Sequence, residues 1–392
     1  MSGNSSGIST LVELFSAGAD GAVALSAPGR SDLAFGGLRA LMQRTVARLN
    51  ELGIGRNDRV AIVLPNGPDM ASAFVSIAVG ATAAPLNPGY RSEEFEFYLS
   101  DLNARALVVE RGSVSPAIEV AKKLGVRVID LVAQDAAGDF VLEPREAADV
   151  SAPAHPGNAQ PDDVALVLHT SGTTSRPKIV PLTQRNVSAS AQNICATLAF
   201  TEKDRGLNIM PLFHIHGLIA GIMAPLSAGA SVFCTPGFDA LKFFSWMDEA
   251  HPTWYTAVPT MHQAILSRAS RNKETIARNP LRFLRSSSSS IPPQVIRELE
   301  ETFGAPLIEA YGMTEASHQM ASNPLPPRAR KPGSVGLAAG PEVEIMDDDG
   351  NILPAGEIGE IVIRGANVTP GYENNEKANK EGFTNGWFRT GD

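Results

Sequence analysis

A chain of 392 residues that is 43% hydrophobic can bury more than one core. Its formal charge of −9 argues against a general binder of nucleic acid or membrane surfaces, and no apolar run reaches the length of a spanning helix. Residues 1–7 lack a basic region followed by an apolar stretch and do not read as a signal peptide. Cys195 and Cys234 read as buried thiols of a reducing compartment without a metal or disulfide role, so the cytoplasm is the expected location.

The first part of the chain alternates strand and helix signals. Residues 59–65 form an apolar run stopped by Pro65, and residues 69–81 come next as a helix with Phe74, Ile77 and Ala78 on one face. A short helix at 93–99 precedes strands at 106–109 and 126–131. This alternation predicts layered α/β structure with parallel strands. Residues 147–163, rich in proline, alanine and acids, read as a linker.

A second α/β run starts at Val164, with strands near 207–210, 231–234, 254–258, 281–285 and 306–310. The helix after Ile291 is well signalled, with Pro292 and Pro293 in its first turn and Val295, Leu299 and Phe303 on one face. After Asn323 prolines, Asp347-Asp348-Asp349-Gly350 and the alternation over 357–364 predict antiparallel hairpins. The expected division is 1–163, 164–325 and 326–392.

Four constellations carry chemistry. Thr170, Ser171, Gly172, Thr173, Thr174 and Lys178 lie between the apolar strand 164–168 and an expected helical segment. Hydroxyls, close-approaching backbone and a lysine suit a polyphosphate, although the spacing differs from the Walker-type loop and a plain polar turn reads as well. His214 and His216, two apart in a strand-to-helix turn, lack the neighbouring ligands of a zinc site and could simply pack. Ser286 to Ser290 is either a flexible polar loop or a flat surface with hydroxyl donors. In 309–318 an aromatic, a glycine, a hydroxyl and a carboxylate come after a strand. They could stack a base, donate to a phosphate and hold Mg²⁺, or Thr314 could cap a helix.

Together these segments resemble the adenylate-forming superfamily of acyl-CoA synthetases, luciferases and peptide-synthetase adenylation domains. Thr170 to Lys178 looks like its phosphate-binding signature, Tyr311-Gly312-Met313-Thr314-Glu315 like its adenine and Mg²⁺ motif, and Thr390-Gly391-Asp392 like its ribose motif. Residues 359–365 and Gly371-Tyr372 match the pattern between the last two. The resemblance implies an α/β large N-terminal domain with two layered subdomains and a smaller antiparallel β subdomain. It implies an AMP-forming acid–CoA ligase using ATP, Mg²⁺ and coenzyme A on a small carboxylic acid.

By the same resemblance Thr170, Ser171, Gly172, Thr173, Thr174 and Lys178 hold the β- and γ-phosphates, and Thr314 contacts the α-phosphate. Glu315 holds Mg²⁺, Asp392 accepts from the ribose hydroxyls and Tyr311 stacks on adenine. Ser287, Ser288, Ser289, Glu309, Ala310 and Gly312 border the adenine, and His214 faces the acyl carboxylate. Segments 81–87, 94–101, 253–260 and 318–326 look like the oxalyl-CoA synthetase group, which implies oxalate as the acid. Ser289 and His318 are then the expected partners of the unreacting carboxylate, since an unpaired buried charge is costly; His318 packing beneath the adenine strand is the other reading. Malonate, fatty and aryl acids are the alternative substrates.

Two departures stand out. The family usually has glycine where Ser175 and Ile179 stand, and a β-branched Ile179 is expected to slow adenylation relative to glycine. The family also has a smaller C-terminal domain after the ribose motif, of roughly 100 residues, carrying a hinge, a catalytic lysine and much of the coenzyme A tunnel. Its expected absence leaves a second reading of the chain as an ATP- and acid-binding module. The basic residues Arg328, Arg330 and Lys331 read as a solvated loop or as partners of coenzyme A phosphates.

Overall fold

A computed structural model describes residues 7–146, 151–170 and 177–392. Their strands form three sheets in an α/β architecture. A seven-stranded sheet runs Phe140–Pro144, Arg127–Ala133, Ala106–Glu110, Arg59–Val63, Thr82–Pro85, Val164–Thr170, Lys178–Thr183. A nine-stranded sheet runs Leu337–Ala338, His318–Ser322, Leu307–Met313, Phe283–Ser286, Trp254–Ala257, Arg205–Asn208, Ser231–Cys234, Val23–Ser26, Leu33–Ala34. Parallel pairings dominate the centres of both, and antiparallel pairs close their edges. The third sheet, Glu342–Met346, Glu360–Arg364, Trp387–Arg389 and Phe383–Thr384, is antiparallel throughout.

Sheet membership does not respect the expected boundary at 163/164. Val164–Thr170 pairs in parallel with Thr82–Pro85, so the start of the second run completes the first sheet. Conversely, Val23–Ser26 leaves the first run to pair with Ser231–Cys234. The cause is burial on both faces: Ala165, Leu166 and Val167 are almost wholly buried, as are Ala24 and Leu25, and each strand is covered only inside the sheet it joins.

Local chemistry explains the elements near the strand ends. Helix Pro68–Ala78 starts with proline in its first turn and is apolar around nearly its whole circumference, which suits its position between the layers. Helix Pro293–Phe303 buries Ile296, Leu299 and Phe303 against the nine-stranded sheet, and Gly304 ends it in a left-handed conformation. Among the described residues no helix is long and apolar enough to cross a membrane. Cys234 is buried and Cys195 half-buried, and both are free thiols.

Beneath the carboxyl end of the nine-stranded sheet lies a layer of buried imidazoles. His262 Nδ1 meets the Tyr255 hydroxyl at 3.1 Å and its Nε2 meets the Arg285 carbonyl at 3.1 Å. Burial pulls His262 down to about 4 from 6.5. Between these values the unfolded chain binds the additional proton, so the neutral native ring contributes stability in full above pH 6.5 and loses it as pH falls toward 4. The loss from this group is about 3 kcal/mol. His216 and His318 are shifted in the same direction and steepen the fall. Urea midpoints measured between pH 7 and 4 should drop accordingly, and a flat profile across that window would refute the neutral assignment.

Candidate active site

The predicted phosphate loop begins where two strands of the seven-stranded sheet meet. Thr170 and Lys178 are opposite each other, as the last residue of one strand and the first of its antiparallel partner. Ser171, Gly172, Thr173 and Thr174, with Ser175, lie outside the described residues. The chain continues from Lys178 as the strand Lys178–Thr183 and only then enters the helix Gln184–Leu198, whereas a helical segment was expected directly. Ile179-Val180-Pro181-Leu182 buries its apolar side chains by pairing back on residues 166–169, which outweighs any helical tendency.

Ile179 itself is 5% exposed and packs in an apolar cluster with Val167, Ala84 and Leu86. Its backbone is ordinary strand and is absent from the positive-φ set. A β-branched side chain is at ease in such a backbone, so the conformational reason for expecting slower adenylation with Ile179 falls away. Ile179→Gly should cost about 3–5 kcal/mol of stability through the cavity it opens, seen as a lowered urea midpoint, with no gain in adenylation rate.

Across from this strand pair, segment 369–373 is laid along Lys178–Thr183 by backbone and side-chain bonds. Thr369 Oγ1 donates to the Pro181 carbonyl at 2.8 Å, Glu373 N–H donates to the Ile179 carbonyl at 3.1 Å, and Arg59 pairs with the Glu373 carboxylate. Asn379 clamps Tyr372 on both sides, accepting from its N–H and donating to its carbonyl, each at 2.7 Å. So held, the Tyr372 hydroxyl donates to Glu315 Oε1 at 2.8 Å, and Lys178 Nζ lies 4.5 Å from the centre of the Tyr372 ring. Burial and the Glu315 carboxylate both push the Tyr372 phenol up, which keeps it a donor. Glu315, 6% exposed, receives one side-chain hydrogen bond from the described residues, at Oε1, leaving carboxylate lone pairs for another partner.

Thr314 and Glu315 do not begin a helix. They form the single 3₁₀ turn Thr314–Ala316, after which the chain reverses into His318–Ser322. The reversal is tight. A side chain on Gly312 would place its Cβ 1.8 Å from the His318 carbonyl oxygen, so this position admits only glycine. At the other end of this region the Tyr311 hydroxyl donates to Asp392, bringing the predicted adenine and ribose residues together. Ser287 Oγ donates to the Ala310 carbonyl at 3.0 Å and so ties the serine run to the same strand. The Glu309 carboxylate faces the other way, accepting from Gly333 N–H at 3.1 and 3.2 Å, so only its backbone borders this region. Arg330 pairs with Glu300 and donates to the Leu307 carbonyl, which takes it out of the solvated basic loop expected there.

His214 projects from the turn before the π-helix His216–Met223, its ring 4.7 Å from that of Phe213; desolvation holds its pKa below the ordinary range. Beside it opens a groove of about 240 Å³, lined at strand ends of both large sheets by Leu64, Leu86, Ile209, Leu212, Phe213 and Phe238. No hydrogen bond among the described residues links His214 to the other predicted site residues. Ser289 is exposed at the rim, whereas Ser288, also exposed, has φ +74° and an Oγ 3.0 Å from His216 Nδ1.

His318 is 1% exposed, with φ +96°, and its ring stacks on His216 at 4.8 Å. Behind both rings lies Arg285, with 0% exposure, 3.3 Å from His216 Nε2 and 3.1 Å from His318 Nε2. Arg285, His216 and Tyr372 were not assigned site roles from the sequence. Tyr372 had a signal in its Gly371-Tyr372 match, and Arg285 had one in being a charge inside an apolar strand pattern.

The arrangement places a lysine, a carboxylate and a phenol at one end, an aromatic–carboxylate pair at another and imidazoles at the floor. A model of the family described as AMP-binding enzyme matches residues 15–373. The oxalate–CoA ligase of Arabidopsis thaliana is 47% identical over 374 residues, covering 94% of this chain and 73% of that protein. The oxalate–CoA ligase of Saccharomyces cerevisiae is 41% identical over 362 residues, covering 86% and 66%. ATP-bound MatB from Rhodopseudomonas palustris superposes with a TM-score of 0.83 at 27% identity, covering 98% of this chain and 76% of that one. The chain belongs to the AMP-binding enzyme family, in its acid–CoA ligase branch.

Proposed function

We propose that the full-length protein activates oxalate, joining it to coenzyme A through an oxalyl-adenylate. The reading rests on one observation above others: the buried imidazoles His216 and His318 beside the nucleotide motifs, in a chain 47% and 41% identical to two oxalate–CoA ligases. The enzyme is assigned to the cytoplasm on its two free cysteines.

In the first half-reaction a carboxylate oxygen attacks the α-phosphorus of ATP, the bond to pyrophosphate breaks, and the acid becomes a mixed anhydride. In the second, the coenzyme A thiolate attacks the acyl carbon and AMP leaves. Charge stabilisation and positioning carry such phosphoryl chemistry, without a protein nucleophile. Lys178 and Thr170 sit at the mouth of the phosphate loop, Thr314 takes the α-phosphate, and Asp392 receives the ribose hydroxyls beside Tyr311. His214 faces the reacting carboxylate, and the apolar groove beside it receives the thiol arm. His318 takes the second carboxylate at the inner end of the site, with the exposed Ser289 at its outer edge.

Mg²⁺ fits the donors present. No group of three or more acidic, histidine or cysteine side chains poised for a metal occurs among the described residues. Magnesium is ordinarily held by one or two carboxylates together with substrate phosphates, and Glu315 provides a buried carboxylate with free lone pairs. When bound, the ion supplies charge neutralisation on the phosphates. Pyrophosphate release measured with oxalate, malonate, acetate, octanoate and coumarate tests the reading. Oxalate should give the highest kcat/KM, and a preference for octanoate or coumarate would overturn it.

A further inference from the structure

Among the described residues Arg285 stands out as a fully buried charge. It sits in the strand Phe283–Ser286 with no exposure, and no carboxylate pairs with it among the described residues. Its Nε has no hydrogen-bond partner among them either. Its other contacts are the Thr256 hydroxyl at 3.4 Å and Gln319 Oε1 at 3.2 Å. A buried guanidinium without a counter-ion is expensive, and a fold that keeps one has left the matching anion to be supplied from elsewhere.

The contacts around Arg285 also decide how the imidazoles are protonated. Guanidinium nitrogens only donate, so the ring nitrogens they face, His216 Nε2 and His318 Nε2, must accept. The Thr256 hydroxyl, 2.7 Å from His216 Nε2, shares that single lone pair with Arg285. Each neutral ring therefore carries its proton on Nδ1. His216 Nδ1–H donates to Ser288 Oγ, which frees the Ser288 O–H to donate into the cleft. His318 Nδ1–H has no acceptor among the described residues. Burial and the positive charge of Arg285 hold both rings well below the ordinary imidazole range, in keeping with this assignment. The backbone is held to the same arrangement: Ser288, Ser317 and His318 all have positive φ, a costly conformation for residues with side chains.

We infer that Arg285 is the specificity-setting positioning residue of the acyl site, holding His216 and His318 from behind so that Ser288 O–H and His318 Nδ1–H receive a second oxyanion on a short acid. The inference rests on the diacid reading of the proposed function and assigns its selectivity to a residue that never touches the substrate. The positive charge strengthens both donors through the rings, and the incoming anion supplies the charge that Arg285 lacks. Substrates of this class are small acids with two adjacent negative groups, and a monoacid leaves the donors and the buried charge uncompensated.

The test compares native protein, Arg285→Lys and Arg285→Met by pyrophosphate release with oxalate and with acetate, alongside nitrogen-15 NMR of the histidines. Arg285→Met should lower the oxalate-to-acetate ratio of kcat/KM about 100-fold, the worth of charge-assisted hydrogen bonds. Arg285→Lys should recover part of that ratio. In the native protein His216 and His318 should appear as neutral Nδ1–H tautomers. An equal loss on both substrates, an unchanged ratio, or Nε2–H tautomers in the native protein would each overturn the inference. The NMR readout needs no variant, so a poorly folded Arg285→Met does not remove the test. Should native protein fail to prefer oxalate over acetate, the diacid reading fails, and the tautomers still judge the role of Arg285.

Discussion

Glu315→Gln in the full-length protein is expected to lower kcat/KM for pyrophosphate release by about 100- to 1,000-fold, the scale of losing one preorganised electrostatic contributor. Glutamine preserves volume and keeps a carbonyl oxygen to accept from the Tyr372 hydroxyl. The Thr369 N–H donates to the Glu315 backbone carbonyl at 2.7 Å, a bond the substitution leaves alone. What disappears is the negative charge. The Mg²⁺ concentration for half-maximal rate should rise, while the urea midpoint stays close to native. Tyr372→Phe provides a milder comparison, with a loss of about tenfold from one hydrogen bond to a charged group. Activity of Glu315→Gln within a few-fold of native, at unchanged Mg²⁺ demand, would remove Glu315 from the metal role.

Gly312→Ala is expected to destabilise the protein by about 3 kcal/mol or more. The added methyl would lie 1.8 Å from the His318 carbonyl oxygen and 2.5 Å from its carbon, and both are backbone atoms paired across the Leu307–Met313 and His318–Ser322 hairpin. No side chain can swing aside to relieve that contact, so the two strands must part. Because His318 is displaced in the process, oxalate turnover should fall more than stability alone explains. Gly21→Ala is the control, since a methyl there meets nothing within 4 Å and its φ is not positive; its effect should stay within about 0.5 kcal/mol. A native-like urea midpoint for Gly312→Ala would show that the hairpin is wider than described.

The parts of the fold that were legible are those whose signals are local. Ser231–Cys234 and Pro293–Phe303 stand close to where apolar runs and prolines put them. Tyr311, Glu315 and Asp392 were picked out by motif, and the structure brings Tyr311 onto Asp392 and Glu315 onto Tyr372. Illegible were the features made by distant partners. Lys178–Thr183 becomes a strand because Val164–Thr170 is there to receive it, and Arg285 matters because two histidines 69 and 33 residues away converge on it. A single charge in an apolar strand says that something unusual is buried, but not what surrounds it.

The exchange of strands between the two large sheets has a temporal side. Val23–Ser26 leaves the ribosome well ahead of its parallel partner Ser231–Cys234, which emerges some 200 residues later. At about 5–20 residues per second of synthesis, that is a wait of roughly 10–40 s. Throughout it, one apolar strand has only its short hairpin mate Leu33–Ala34 for cover. The nascent chain thus carries an unfinished sheet edge throughout that interval, which makes it a client for chaperones that shield extended apolar segments. A pulse-labelled nascent chain stalled before residue 231 should bind such a chaperone, and one stalled well after residue 257 should release it.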